Sequence, residues 1–255
     1  MKLIDSHCHL YLKEFANDLD DIIQKARNAG VARFYLPSIN SRVVDDMLKL
    51  ETLYAGECFP MMGLHPCSVK EDYKDELMIV SDWLSKRKFV AVGEIGLDFY
   101  WDKTFVREQL EAFNMQMELA LQYQLPIVIH SRNATAETIA AVKPFAGRGL
   151  RGIFHCFGDG SAEATAIVDM GFLLGIGGVV TYKKSGLAET LKGVSLEHLV
   201  LETDAPYLSP VPFRGKRNEP AYLGHIVEAI AQAKGVSGEE VAMVTSANAE
   251  KIFGH

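Results

Sequence analysis

Long apolar runs, paired cysteines and an excess of positive charge are all missing from this 255-residue chain. The longest nearly apolar stretch, Gly171 to Val180, is about half of what a bilayer-spanning helix needs, and Asp5 and His7 interrupt the N-terminus before a signal-peptide core could form. A cytoplasmic protein without membrane contact is expected. Cys8, Cys58, Cys67 and Cys156 are scattered without CxxC spacing, which excludes a disulfide framework and leaves them as reduced packing residues. With 26 Lys and Arg against 33 Asp and Glu, the net charge is −7, so an anionic substrate must be met by a local basic patch or by metal ions. There is no low-complexity tract, long linker or composition shift, so a single domain over residues 1–255 is expected.

What is present is a regular alternation. A hydrophobic content of 48% supports a substantial core. Short β-branched or apolar runs recur at Lys2–Ser6, Ala32–Leu36, Cys58–Met62, Phe89–Gly93, Pro126–Ile129, Gly152–Phe154, Phe172–Ile176 and Leu199–Glu202. Between them lie helical periods, clearest in Glu108–Gln122, where Leu110, Phe113, Met117 and Leu121 recur at three- and four-residue steps. Strand–helix alternation forces parallel pairing with right-handed crossovers, leaving a doubly wound sheet or a closed barrel. Eight units in this length favour the α/β TIM barrel, (β/α)8. The Pro/Gly/Arg-rich stretch Pro206–Pro220 has no period and follows the eighth strand, where such barrels often handle phosphate.

In a parallel barrel the reacting groups sit at the C-terminal strand ends. His7 and His9 end the first strand, His65 follows the third, His130 closes the fifth and His155 the sixth. Were strand ends about a tenth of the chain, chance would place about one of the 8 histidines there, not five. Glu94 and Asp204 follow the fourth and eighth strands by the same rule. Residues i and i+2 of a strand share a face, so His7 and His9 form a chelating pair. Six candidate ligands (His7, His9, Glu94, His130, His155, Asp204) are too many for one tetrahedral ion but suit two divalent ions about 3.5–4 Å apart, with Glu94 as the bridge. Imidazole with carboxylate does not choose between Mg, Mn and Zn. Each assignment has a plainer rival: Glu202 and Asp5 as buried acids behind the ligands, His65 as part of a strand-ending turn in Gly63-Leu64-His65-Pro66, and Asp98 as an organiser of its loop.

Asp5-Ser6-His7-Cys8-His9-Leu10, Gly63-Leu64-His65-Pro66, Gly93-Glu94-Ile95-Gly96-Leu97-Asp98, His130-Ser131-Arg132, His155-Cys156-Phe157 and Glu202-Thr203-Asp204-Ala205-Pro206, with Arg217-Asn218-Glu219-Pro220, resemble the TatD family of metal-dependent deoxyribonucleases. The resemblance spans nearly the whole chain. It implies a TIM barrel, a divalent metal pair and 3′→5′ exonucleolytic hydrolysis of nucleic-acid phosphodiesters. On it, His7, His9 and Asp204 would hold one metal, His130 and His155 the other, and Glu94 would bridge them. Asp204 would accept the proton of the attacking water, with Glu94 and His65 as further catalytic groups. Arg132, Arg214, Lys216 and Arg217 would contact backbone phosphates, and Tyr207, Tyr100 and Trp101 could stack on an unpaired base. Their rival is ordinary rim packing, and Lys183 and Lys184 read as a solvated loop. DNA ends are the expected substrate, with RNA as a second candidate. Two other functions remain open: hydrolysis of an amide, lactone or aminoacyl-tRNA ester on the same barrel, and a metal-binding scaffold without activity.

Overall fold

The computed structural model describes residues 1–254. Eight parallel strands, β1 (Leu3–Asp5), β2 (Val31–Leu36), β3 (Cys58–Pro60), β4 (Val92–Asp98), β5 (Ile127–Arg132), β6 (Gly152–Phe154), β7 (Leu173–Ile176) and β8 (Leu199–Leu201), run in sequence order around the molecule. Their ladders divide into a three-stranded and a five-stranded sheet. Both seams are hydrogen-bonded: Met62 bridges Val92 between β3 and β4, and Ser6 N–H donates to the Leu201 carbonyl at 2.9 Å between β8 and β1. The expected TIM barrel is therefore present.

Helices α1 (Leu19–Asn28), α2 (Val44–Leu53), α3 (Tyr73–Lys86), α4 (Val106–Tyr123), α5 (Thr135–Ala146), α6 (Ser161–Asp169), α7 (Leu187–Lys192) and α8 (Leu223–Lys234) follow the strands in turn. α1 shows the local logic. Asp20 and Asp21 lie in its first turn and Lys25 and Arg27 in its last, complementing the helix dipole, while Ile22, Ile23 and Ala26 are buried against the barrel. None of the helices among the described residues is long and apolar enough to cross a membrane.

Strand alternation separates two cores. Ile4, Tyr35, Met61, Val128, Ile153 and Val200 point inward, and the last helix, α9 (Gly238–Phe253), seals the bottom of the barrel with Ala249, Ile252 and Phe253. The Phe253 ring stacks on Tyr35 with centroids 3.9 Å apart. A larger cluster, including Leu3, Phe34, Ile95, Ile129 and Leu174, joins the outer strand faces to the helices. With the bottom filled, the opposite mouth is left for chemistry.

One strand differs from its sequence reading in a way that matters. β4 does not stop at Gly93 but continues to Asp98, so Glu94 lies within the strand rather than after it. Gly93 and Gly96 permit close packing against β5. The ladder pairs Gly93 with Val128 and Ile95 with Ile129, skipping Glu94, and this bulge frees its side chain to face the mouth. The Pro206–Pro220 stretch is tied down from within. Asn218 Nδ2 donates to the carbonyls of Thr203 and Tyr207, both at 2.7 Å, and Tyr182 Oη donates to the Ser209 carbonyl at 2.8 Å.

Candidate metal centre

Five imidazoles and three carboxylates converge at the mouth, carried there by six of the eight strands: His7 and His9 follow β1, His65 follows β3, Glu94 and Asp98 lie on β4, His130 on β5, and His155 and Asp204 follow β6 and β8. The His7–His9 segment lies beyond β1 but stays extended, because Cys8 N–H donates to Tyr35 O at 3.0 Å and His9 N–H to Ala205 O at 2.7 Å. Asp5 does not face the ligands. Its Oδ1 accepts from the Thr203 and His7 amides and its Oδ2 from the Thr203 hydroxyl, stapling the His7 segment to the one bearing Asp204. Burial without a cation pushes the Asp5 carboxyl up to about 7, although these hydrogen bonds oppose the shift.

The two oxygens of Glu94 face different partners. Oε2 lies 3.2 Å from His7 Nε2 and 3.6 Å from His9 Nε2; Oε1 lies 2.9 Å from His130 Nδ1, 2.9 Å from His155 Nε2 and 3.2 Å from His65 Nε2. On the first side, His7 Nε2 and His9 Nε2 are 3.2 Å apart, and Asp204 Oδ1 is 3.7 and 3.5 Å from them. Ligand atoms about 2.0–2.2 Å from a tetrahedral ion stand about 3.3–3.6 Å from one another, and the separations of His7 and His9 from each other, from Glu94 and from Asp204 are close to that spacing.

Proton accounting separates ligands from donors. Tyr11 Oη donates its one hydrogen to the Pro37 carbonyl at 2.6 Å, so it must accept from His9 Nδ1 at 2.8 Å, leaving His9 Nε2 as a lone pair aimed inward. Asp98 Oδ2 accepts from His130 Nε2 at 2.9 Å, which leaves His130 Nδ1 as a lone pair facing Glu94. Burial opposes the charge on Asp98, but that hydrogen bond and the amides of Trp101 and Tyr100 keep its carboxyl well below the usual range. Lone pairs and carboxylate oxygens at such distances repel unless positive charge sits among them. His65 has the opposite polarity. Its Nδ1 accepts from the Cys67 amide at 3.0 Å, so Nε2–H donates toward Glu94. In this tautomer it presents a hydrogen to the pocket, although its Nε2 also lies with Glu94 and His130 in a group that could hold an ion.

Electrostatics tell the same story. Burial disfavours charge on Glu94, yet the surrounding imidazoles, His65, His155 and His7 foremost, hold its carboxyl well below the usual range. Burial likewise opposes protonation of His155, but Glu94 and Glu202 overcome it and push that imidazole well up. Glu202 Oε1 accepts from the Cys156 amide at 2.5 Å and lies 3.3 Å from His155 Nδ1, off line for a hydrogen bond, so it backs the histidine rather than joining the ligand atoms. The array calls for cations, and two sets of its donors could hold divalent ions.

A cavity of about 740 Å³ opens over these groups, lined also by Arg132, Trp101, Tyr207, Cys67 and Cys156. The other basic residues expected at the mouth lie elsewhere. Arg217 forms a two-pronged ion pair with Asp18, at 2.9 and 2.6 Å, and also donates to the Glu14 carbonyl. The Arg214 guanidinium lies 4.4 Å over the Tyr182 ring, and Lys216 Nζ is 6.0 Å from the Phe213 centroid; neither lines this cavity.

Three residues with no individual signal in the sequence hold the site in place. Tyr11 fixes the His9 tautomer. Gln109 and Gln116, seven apart on one face of α4, each clamp both backbone groups of a site loop: Gln109 those of Asp98 at 2.9 and 3.2 Å, Gln116 those of Leu64 at 2.7 and 3.2 Å. They could have been sought as polar interruptions of an apolar helical stripe. Tyr11→Phe is expected to leave the His9 N–H and the Pro37 carbonyl unpaired and to weaken metal binding at the His7–His9 side by about 10–100-fold. Chelator competition measures this, and unchanged affinity would remove Tyr11 from the tautomer argument.

An inward-facing imidazole–carboxylate array at the C-terminal mouth of a (β/α)8 barrel defines a metal-dependent hydrolase. A family model described as TatD related DNase matches residues 4–254, and the chain belongs to that family. A Bacillus subtilis (strain 168) protein described as an uncharacterized metal-dependent hydrolase, YabD, is 37% identical over 258 residues, covering 98% of each chain. A Pantoea ananatis (strain LMG 20103) protein named 3′-5′ ssDNA/RNA exonuclease TatD is 33% identical, covering 99% of each. Among solved structures, the TatD homolog YJJV from Escherichia coli K12 superposes with a TM-score of 0.93 at 28% identity, covering 99% of this chain and 98% of that one.

Proposed function

We propose that this hydrolase removes nucleotides from the 3′ end of single-stranded DNA, with RNA as a second substrate, in the cytoplasm, using two divalent ions of the Mg, Mn or Zn type. The observation that carries the two-ion reading is the division of Glu94, whose oxygens face separate sets of imidazoles at 2.9–3.6 Å. His7, His9 and Asp204 would form one site and His130 and His155 the other. The choice of nucleic acid is supported by the name of the full-length Pantoea ananatis relative.

Bound ions would polarise the phosphoryl oxygens and make a water acidic near neutral pH. Asp204, whose side chain is 13% exposed against 3% for Glu94, is the carboxylate at the solvent side and would act as the base that takes the proton of the attacking water. Glu94, buried and charged, stays a ligand. His65 holds its Nε2 hydrogen toward the pocket, where it can donate to a phosphate oxygen and orient it. Arg132 supplies the cationic wall and Tyr207 the aromatic one. Arg214, Lys216 and Arg217 would act only after leaving their present partners. A short footprint follows, and a pocket at a barrel mouth admits a strand end unpaired.

Labelled linear single-stranded DNA, its closed circular form, blunt duplex, RNA and charged tRNA, each tested with Mg, Mn and Zn, separate the readings. Stepwise shortening of the linear strand, slower attack on duplex and a resistant circle are expected. Equal cutting of the circle would reject the exonuclease; cleavage of the tRNA ester with no strand shortened would move the activity to carbonyl substrates.

A further inference from the structure

Next to the metal centre stands a group of side chains that phosphodiester hydrolysis does not require. Tyr100 and Trp101 follow β4 at the mouth and are 51% and 67% exposed, a large apolar area to leave in water. Their rings meet edge to face at 5.0 Å. The Arg132 guanidinium lies 4.0 Å from the Tyr100 centroid and 5.2 Å from that of Trp101. Arg27, Arg87, Arg148 and Arg217 each pair with a carboxylate, whereas Arg132 has no acidic partner among the described residues.

The group is indexed to the catalytic atoms. Asp98 Oδ1 accepts from the amides of Tyr100 and Trp101 at 2.9 and 3.0 Å, while its Oδ2 accepts from His130 Nε2 at 2.9 Å. One carboxylate thus fixes both a candidate metal ligand and the backbone carrying the aromatic pair. Trp101 and Arg132 line the same cavity as Glu94 and Asp204. An exposed aromatic pair beside an unpaired guanidinium suits a flat, electron-rich ring attached to a phosphate.

We propose that Tyr100, Trp101 and Arg132 form a stacking platform for the unpaired nucleobase of the nucleotide held at the metal centre, making terminal-base recognition a property of this site. The platform rests on the phosphodiesterase reading above and adds to it a requirement for a base. Aromatic stacking tolerates all bases, so the site discriminates base from no base rather than one base from another. Two surface aromatics ordered merely by a neighbouring arginine would confer no such discrimination.

The test compares a single-stranded oligonucleotide ending in an ordinary nucleotide with the same strand ending in an abasic one, using the metal-loaded full chain. Wild type is expected to show a KM for the abasic strand about 5–100-fold higher. In Trp101→Ala with Tyr100→Ala that ratio falls toward one, and in Trp101→Phe most of it returns, with metal content and melting temperature held at wild-type values. Equal KM values for the two strands with wild type, or a ratio unchanged in the double variant, would overturn the platform and leave the nuclease standing. Cleavage of neither strand with any metal would overturn both.

Discussion

Glu94→Ala is expected to lose both metal equivalents together and to lower kcat/KM by at least about 10³-fold, because one carboxylate serves two clusters and Lewis-acid stabilisation worth several kcal/mol goes with the ions. The two-sided geometry gives the reason. His7 and His9 address Oε2, while His130 and His155 address Oε1, so no other side chain replaces either contact. Removal also leaves a cavity at the centre of the buried imidazoles, with Asp204, Asp98 and Glu202 only at its edges. Glu94→Gln separates these effects, since it keeps the volume and one acceptor oxygen but not the charge. Elemental analysis after chelation and reloading measures the stoichiometry. Two full equivalents bound to Glu94→Ala would end the bridging assignment.

Gly96→Ala should be nearly as damaging without touching a ligand. Gly96 has φ +144°, a left-handed conformation that suits glycine, and lies opposite His130 in the β4–β5 ladder. A Cβ built there would stand 2.0 Å from the His130 carbonyl oxygen and 2.9 Å from its carbon. Because the obstacle is backbone, the strands must part. A cost above about 3 kcal/mol is expected, corresponding to a melting temperature lower by about 6–12 °C in a chain of this size. Parting the strands also changes the Glu94 to His130 distance, so the folded fraction should bind metal more weakly than wild type. Calorimetry with a metal titration checks both, and wild-type stability would show that β4 and β5 approach less closely than described.

Most of the candidate ligand array is legible in the chain because strand-end placement is a local property. His7, His9, His130, His155 and Asp204 each follow an apolar run, and the topology of a parallel barrel then brings all such ends to one mouth. Glu94 is legible too, but its strand does not end where the apolar run does. The apolar run ends at Gly93, whereas a bulge between Gly93 and Ile95 lets the strand continue and turns the carboxylate inward. The basic residues were less legible. Arg217 and Arg132 look equivalent in a list of charges, yet one is tied to Asp18 and the other lines the cavity beside two aromatic rings, contacts made across distant parts of the chain.

By itself, the sequence determined the alternation of strands and helices, hence the barrel, and the kinds of atom that would meet at its mouth. Hydrophobic period and residue type are set by neighbours along the chain, and both survive without knowledge of the fold. Only the tertiary structure decided which nitrogen of each imidazole faces inward. Tyr11 with Pro37, Asp98 with His130 and Cys67 with His65 fix the hydrogens, and two of these three partnerships join distant segments. A proton's position depends on the partner at the far side of the ring, and that partner is supplied by packing. His9 and His130 thereby present lone pairs while His65 presents a hydrogen, a distinction that three histidines at three strand ends do not carry in their spacing.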